Sequence, residues 1–217
     1  MLLLNALVAI YALVMLARHG PRAVLYVAPR TIRIRGDADA LPRTSGQVAA
    51  GELLESLGFA RLGLRHERSP LGGLDLAIDA WAHPDGTCAD AYPTGGRAVA
   101  IGLLTTLGDG FQVATANFKR PTAEGAAGRV EGLAGLSAEN ALIAHRRTAE
   151  GLAGSHGEAR KVAGLEERLD LARRYYAGIG ATELRRPALM SLLNSVIALA
   201  LFGWSVRLAL RNLGILS

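Results

Sequence analysis

Residues 187–206 (PALMSLLNSVIALALFGWSV) run for twenty positions without a charged side chain, between Arg185-Arg186 and Arg207, and residues 1–17 (MLLLNALVAIYALVMLA) are equally free of charge. An apolar run of about 20 residues, rising ~1.5 Å per residue, matches a hydrocarbon core of ~30 Å. The first run rises only ~25 Å, at the short limit for crossing. No basic residue precedes it and no A-x-A pattern closes it, so it reads as a retained helix rather than a cleaved signal. In the second, Pro187 suits a first helical turn and Trp204 suits an interface. Two transmembrane helices, 1–17 and 187–206, are therefore expected.

The arginines set the expected orientation. Arg18, Arg22, Arg30, Arg33 and Arg35 follow the first run with no acid among them, and they account for the whole net charge of +5. Arg168, Arg173, Arg174, Arg185 and Arg186 precede the second run, against Arg207 and Arg211 after it. Both asymmetries put the intervening residues on the cytoplasmic side and both termini outside, in an inner or plasma membrane, with Cys88 in a reducing compartment. Residues 18–44 become a basic juxtamembrane arm and linker facing anionic headgroups, 45–186 a cytoplasmic domain, and 207–217 a short tail. Tyr26 is the one aromatic in the arm, too little for a base-stacking surface, so no nucleic-acid partner is expected.

Within the runs, Ser191, Asn194, Ser195 and Ala198 fall at i, i+3, i+4 and i+7, and Asn5, Ala9 and Ala12 form a lesser stripe. Small and polar stripes of this kind pack against other helices rather than lipid. Tyr11 and Asn194 would lie at similar depth, within reach of a hydrogen bond if both helices start at the cytoplasmic boundary. No Asp, Glu, Lys, Arg or His lies inside either run, so the usual marker of an ion or proton path is missing.

Between the runs the pattern predicts an α+β fold, an antiparallel meander sheet packed by amphipathic helices. TIRIR at 31–35 alternates like a strand. Ser45 is placed to cap a helix with Ala50, Leu53, Leu54 and Leu57 on one face and Gly58 as its stop. Strands are expected at 59–67, 74–83, 87–92, 97–107 and 111–118, with turns too short for helical crossovers. Residues 121–136, rich in Gly and Ala, read as a loop. Ser137 opens a second helix with His145 on its apolar face. A third helix carries Val162, Leu165, Leu169, Ala172 and Tyr176 at 3,4 spacing, with Asp170 and Arg174 paired at i, i+4.

One constellation has chemical content. If Asp85-Gly86 is a two-residue hairpin loop, His83 pairs with Cys88, Trp81 with Asp90 and Asp79 with Tyr92, all on one face. His83, Cys88 and Asp90 would then hold the parts of a thiol nucleophile activated by imidazole. A hairpin tip supplies neither an oxyanion hole nor a substrate pocket. With one cysteine and no HExxH, G-x-S-x-G, CxxC, phosphate-loop or EF-hand pattern, no metal or cofactor is expected. The sequence favours a non-catalytic accessory or scaffold subunit whose partners are the bilayer and other membrane subunits. The alternatives are an anchored enzyme or ligand sensor using the His83, Cys88 and Asp90 face, and a lipid-binding module working through the arginine arm.

Overall fold

A computed structural model of the chain describes residues 2–27, 31–42, 44–69, 75–96, 98–213 and 215. Among them, five helices and eight strands occur in the order α1 (Leu2–Val27), β1 (Arg33–Asp37), α2 (Ser45–Ser56), β2 (Ala60–Arg68), β3 (Asp75–Ala82), β4 (Thr87–Ala91), β5 (Ile101–Thr106), β6 (Gln112–Ala116), β7 (Ala123–Gly125), β8 (Gly128–Gly132), α3 (Ala138–His156), α4 (Leu165–Ala177) and α5 (Ile179–Asn212). The chain divides into two compact units, one helical and one built on the sheet.

The sheet unit, Ile32–Ser69 with Leu74–Glu183, is α+β. Its strand order is β1-β2-β3-β4-β5-β6-β8-β7. Neighbours are antiparallel up to β6, but β8 pairs with β6 in parallel and β7 folds back on β8 at the edge. The sheet is therefore not a simple meander, and the expected loop at 121–136 contains two strands. Gly128 explains the misreading: at φ +157, a Cβ there would stand 2.2 Å from the Gln112 backbone oxygen. The close approach of β8 to β6 selects a glycine that reads locally as loop.

Helices cover both faces. On one, Leu54 of α2 and Leu142 of α3 pack with Trp81, Ala89, Ile101 and Leu103. On the other, Leu171 and Tyr175 of α4, with Ile179 at the start of α5, pack on Cys88, Leu104, Ala114 and Val130. Every residue of β4, β5 and β6 is consequently buried. Thr44 rather than Ser45 caps α2, in a reciprocal box: its hydroxyl accepts from Gln47 N–H, and its own N–H donates to Gln47 Oε1, both at 3.2 Å. Ser45 instead donates to the Gly96 carbonyl at 2.7 Å. Ser137 caps α3 as expected. Helix α4 starts at Leu165, so Val162 precedes it, and Asp170 pairs with Arg173 at 2.5 Å rather than with Arg174.

The hairpin between β3 and β4 corrects a register. The pairs are Ala82 with Cys88, Trp81 with Ala89, Ala80 with Asp90 and Asp79 with Ala91, one residue from the expected ladder. His83 N–H donates to Thr87 O at 2.8 Å and Gly86 N–H to His83 O at 3.0 Å, so the loop is Pro84, Asp85 and Gly86, with Gly86 at φ +92. Proline is the physical reason. A two-residue loop would need an N–H from residue 84 to close the ladder, and Pro84 has none, whereas the first central position of a turn suits its fixed φ. A one-residue slip moves every side chain of a strand to the other face.

The helical unit holds α1 and α5 from Leu184 onward. Both helices are long and apolar enough to cross a membrane. Their buried positions form one seam each: Asn5, Ala12 and Ala23 on α1, and Ala188, Ser191, Ser195, Ala198 and Ser205 on α5. Ser205 donates to the Asn5 carbonyl at 2.7 Å, placing the start of α1 beside the end of α5, and Ser195 bonds back to the Ser191 carbonyl at 2.8 Å. Large apolar residues such as Leu4, Ile10, Val14, Val196 and Ile197 point outward. Tyr11 is 57% exposed and lies off the seam, and Asn194 is half-buried.

Candidate functional site

The most concentrated polar chemistry in the sheet unit lies under α4. Arg65 and Glu67 are two apart on β2 and so share the α4 face, as does Asp90 on β4. Asp90 is flanked in the ladder by Ala80 and Gly102, small residues that leave room above the sheet for longer neighbours. Arg168, on the buried side of α4, comes down into that space and is 2% exposed. One carboxylate oxygen, Asp90 Oδ2, accepts from Arg65 Nη2 at 2.7 Å and from Arg168 Nη2 at 2.5 Å. Arg65 Nη1 pairs with Glu67 Oε1, and Glu67 Oε2 accepts from the Tyr176 hydroxyl at 2.5 Å. Beside this group, Arg120 donates to both oxygens of Glu183 at 2.5 and 2.8 Å and to the Tyr175 hydroxyl at 2.6 Å.

Each set is formally balanced, two arginines with two acids and one with one, the condition under which charge survives burial. Burial acts to lower the Arg65 pKa, but the charges of Asp90 and Glu67 outweigh it and the net shift is upward. Burial pushes Tyr92 up to about 12 and also raises Tyr175 and Tyr176, the latter further through the Glu67 charge. These phenols stay protonated, and arginine does not deprotonate. The group offers hydrogen-bond donors rather than a nucleophile or a base. It borders a cavity of about 30 Å³.

The expected constellation is dispersed. Cys88 and Asp90 face α4, while His83 lies toward α3, its ring 5.1 Å from that of Phe59 and within hydrogen-bond reach of Arg146. Asp79 and Trp81 also face away from Cys88, and Trp81 Nε1 donates to Asp79 Oδ2 at 2.9 Å. Burial pushes the Cys88 thiol up to about 11. At pH 8 about one molecule in a thousand is thiolate, so alkylation of native protein is expected to run roughly two orders of magnitude slower than after unfolding. Equal rates in both states would show that the thiol is not held as described.

The expected basic arm is divided as well. Arg18 and Arg22 ride on α1, whereas Arg33 and Arg35 belong to the edge strand β1 of the sheet unit. Arg30 lies outside the described residues.

On the other sheet face, His145 is fully buried, with Nδ1 2.9 Å from Thr115 Oγ1 and Nε2 2.9 Å from Thr105 Oγ1. A larger cavity of about 280 Å³ is bordered by Thr87, Thr105, Leu107, Arg146 and Ala149; there Arg146 is already paired to Asp85 at 2.8 Å.

Sequence reasoning missed Arg65, Glu67, Arg120, Arg168 and Glu183. Two signals were present: the acid in TCADA, an otherwise small and uncharged strand, and Arg168 at i, i+4 and i+7 with Ala172 and Tyr175. Comparison with protein-family models, with curated proteins and with solved structures finds no match to this chain.

Proposed function

We propose that the chain is a two-span membrane protein whose sheet unit sits on the cytoplasmic side and serves as a non-catalytic accessory or scaffold subunit of a larger membrane assembly. The observation that carries this reading is the inverted surface of the helical unit. Only 11% and 22% of the most apolar stretches of α1 and α5 are buried, and what they bury is small or polar. The core helix of a soluble protein does the reverse, hiding its leucines and exposing its serines. In a bilayer the pattern is consistent, because small and hydroxyl side chains mediate helix contact while lipid takes the large apolar ones. The asymmetry of the flanking arginines supports the orientation.

The seam between α1 and α5 uses Asn5, Ser191, Ser195 and Ala198 inside the chain. Contacts to other subunits therefore fall to the outward faces and to the sheet unit. The test is extraction, protease access and mass. The protein should stay with membranes through an alkaline carbonate wash. Protease should cut residues 32–183 in inside-out vesicles and not in intact cells. In mild detergent the particle should hold a second subunit in fixed ratio beside this 22.8 kDa chain. Release by carbonate overturns the anchor, digestion from outside overturns the orientation, and a lone chain overturns the subunit role.

A further inference from the structure

The group beneath α4 leaves an unbalanced set of hydrogen-bonding atoms. Arg65 Nε, Arg168 Nε and Arg168 Nη1 are buried and have no partner among the described residues, and neither has Asp90 Oδ1. Arg65, Asp90 and Arg168 are all more than nine-tenths buried and all border the 30 Å³ cavity. The open valences are one N–H on each Nε and two on Nη1, against one carboxylate oxygen. Tyr92 lines the same cavity.

Complementarity defines the ligand. Several acceptors must meet the guanidinium N–H groups, and one donor must meet Asp90 Oδ1. A halide supplies an acceptor and no donor. Nitrate supplies three acceptor oxygens and no donor. One water has two lone pairs, too few for the four N–H groups; two waters would supply four lone pairs and a donor besides, and an oxyanion displaces them by meeting the same groups with charge-assisted bonds. A cavity of this size holds about two waters or one anion of three or four heavy atoms.

We propose that this cavity is a binding site for a small oxyanion that carries its own proton, of the bicarbonate type. Its unprotonated oxygens accept from Arg65 and Arg168, and its hydroxyl donates to Asp90 Oδ1. Arginine N–H groups recognise oxyanions through such charge-assisted bonds. Three arginines, Arg65, Arg120 and Arg168, and two carboxylates, Glu67 and Asp90, line the cavity, and Arg120 is already paired with Glu183, so selectivity rests on the match of donors to acceptors rather than on net attraction. This ligand site is independent of the anchoring reading.

The experiment uses the full chain in detergent at pH 8, titrated separately with sodium bicarbonate, sodium nitrate and sodium chloride at matched ionic strength. Tm is followed through the near-ultraviolet signal of the buried Trp81. Bicarbonate should raise Tm by ~2–4 °C once it reaches roughly five times its Kd. Nitrate should need about tenfold more for the same shift, the equivalent of one missing hydrogen bond, and chloride should give less still. Arg168→Gln should abolish the bicarbonate response. Because that variant also breaks the pair with Asp90 and could fail to fold, a second readout uses wild-type protein: the 13C line of labelled bicarbonate should broaden on adding protein and sharpen again on adding excess nitrate. Equal shifts from all three salts, or no shift with no broadening, mean that water alone fills the cavity and overturn the proposal.

Discussion

Replacing Asp90 by alanine is expected to destabilise the sheet unit by about 3–5 kcal/mol, the cost of stripping the counter-charge from a buried ion group. Asp90 Oδ2 is the shared acceptor of Arg65 and Arg168, whose side chains are 4% and 2% exposed. Arg65 would keep Glu67, but Arg168 would keep no carboxylate, and neither guanidinium can neutralise itself by losing a proton. Asp90→Asn should cost less, because the amide oxygen still accepts one bond. The measurement is urea unfolding of the full chain in detergent, followed at Trp81. In thermal unfolding the alanine variant should fall by ~6–20 °C. A loss under about 1 kcal/mol for Asp90→Ala would place the two arginines in water rather than beneath α4.

That cluster marks where sequence reading stops. The apolar runs inside α1 and α5 were legible because a long uncharged stretch announces itself residue by residue, without reference to anything distant, although the helices extend past those runs, to Val27 and from Ile179 to Asn212. Faces of the sheet unit's helices were legible for a similar reason: Ala50 and Leu54, or Ala141, Leu142 and His145, repeat at the helical period. The positions of β1 to β6 came through within a few residues, since turns punctuate them, whereas β7 and β8 were hidden in a stretch that reads as loop. Register did not, because β4, β5 and β6 are buried on both faces and carry no apolar–polar alternation that would fix which side is which. The remaining clue lay in Pro84, whose missing N–H excludes the two-residue loop. Nor could the chain sequence say that Arg65, Asp90 and Arg168, separated by 25 and 78 positions, share one carboxylate oxygen. Each is unremarkable locally. Partner choice among buried charges is a property of the assembled layers.

His145 should make the sheet unit lose stability in mild acid, by about 2 kcal/mol at pH 5 and about 3 kcal/mol near pH 4, relative to pH 7. Its ring bridges Thr115 and Thr105 with no exposed surface, and burial lowers its pKa from 6.5 to about 4; Asp85 opposes that shift and Arg146 adds to it. Neutral imidazole suits the site, donating from one nitrogen and accepting at the other, whereas imidazolium has two donors and no acceptor. In the unfolded chain the ring takes up a proton near pH 6.5, and in the folded chain only near pH 4. Between those values the unfolded state binds more protons, so stability is complete above about pH 7, declines as pH falls through the window, and levels off below it. Asp85 and Asp109 also have lowered folded pKa values. Asp85 is pushed up by burial but brought down further by hydrogen bonds from Thr87, and Asp109 is lowered by its hydrogen bond with His156. Their contributions are present above their unfolded pKa of 3.8 and fall away below it, so the slope from pH 6.5 to 4.5 belongs chiefly to His145. Unfolding curves at pH 7, 5.5 and 4.5 for wild type and for His145→Gln separate the two effects. The variant should be weaker at pH 7 yet nearly flat over that interval, and a variant as steep as wild type would assign the acid sensitivity to another group.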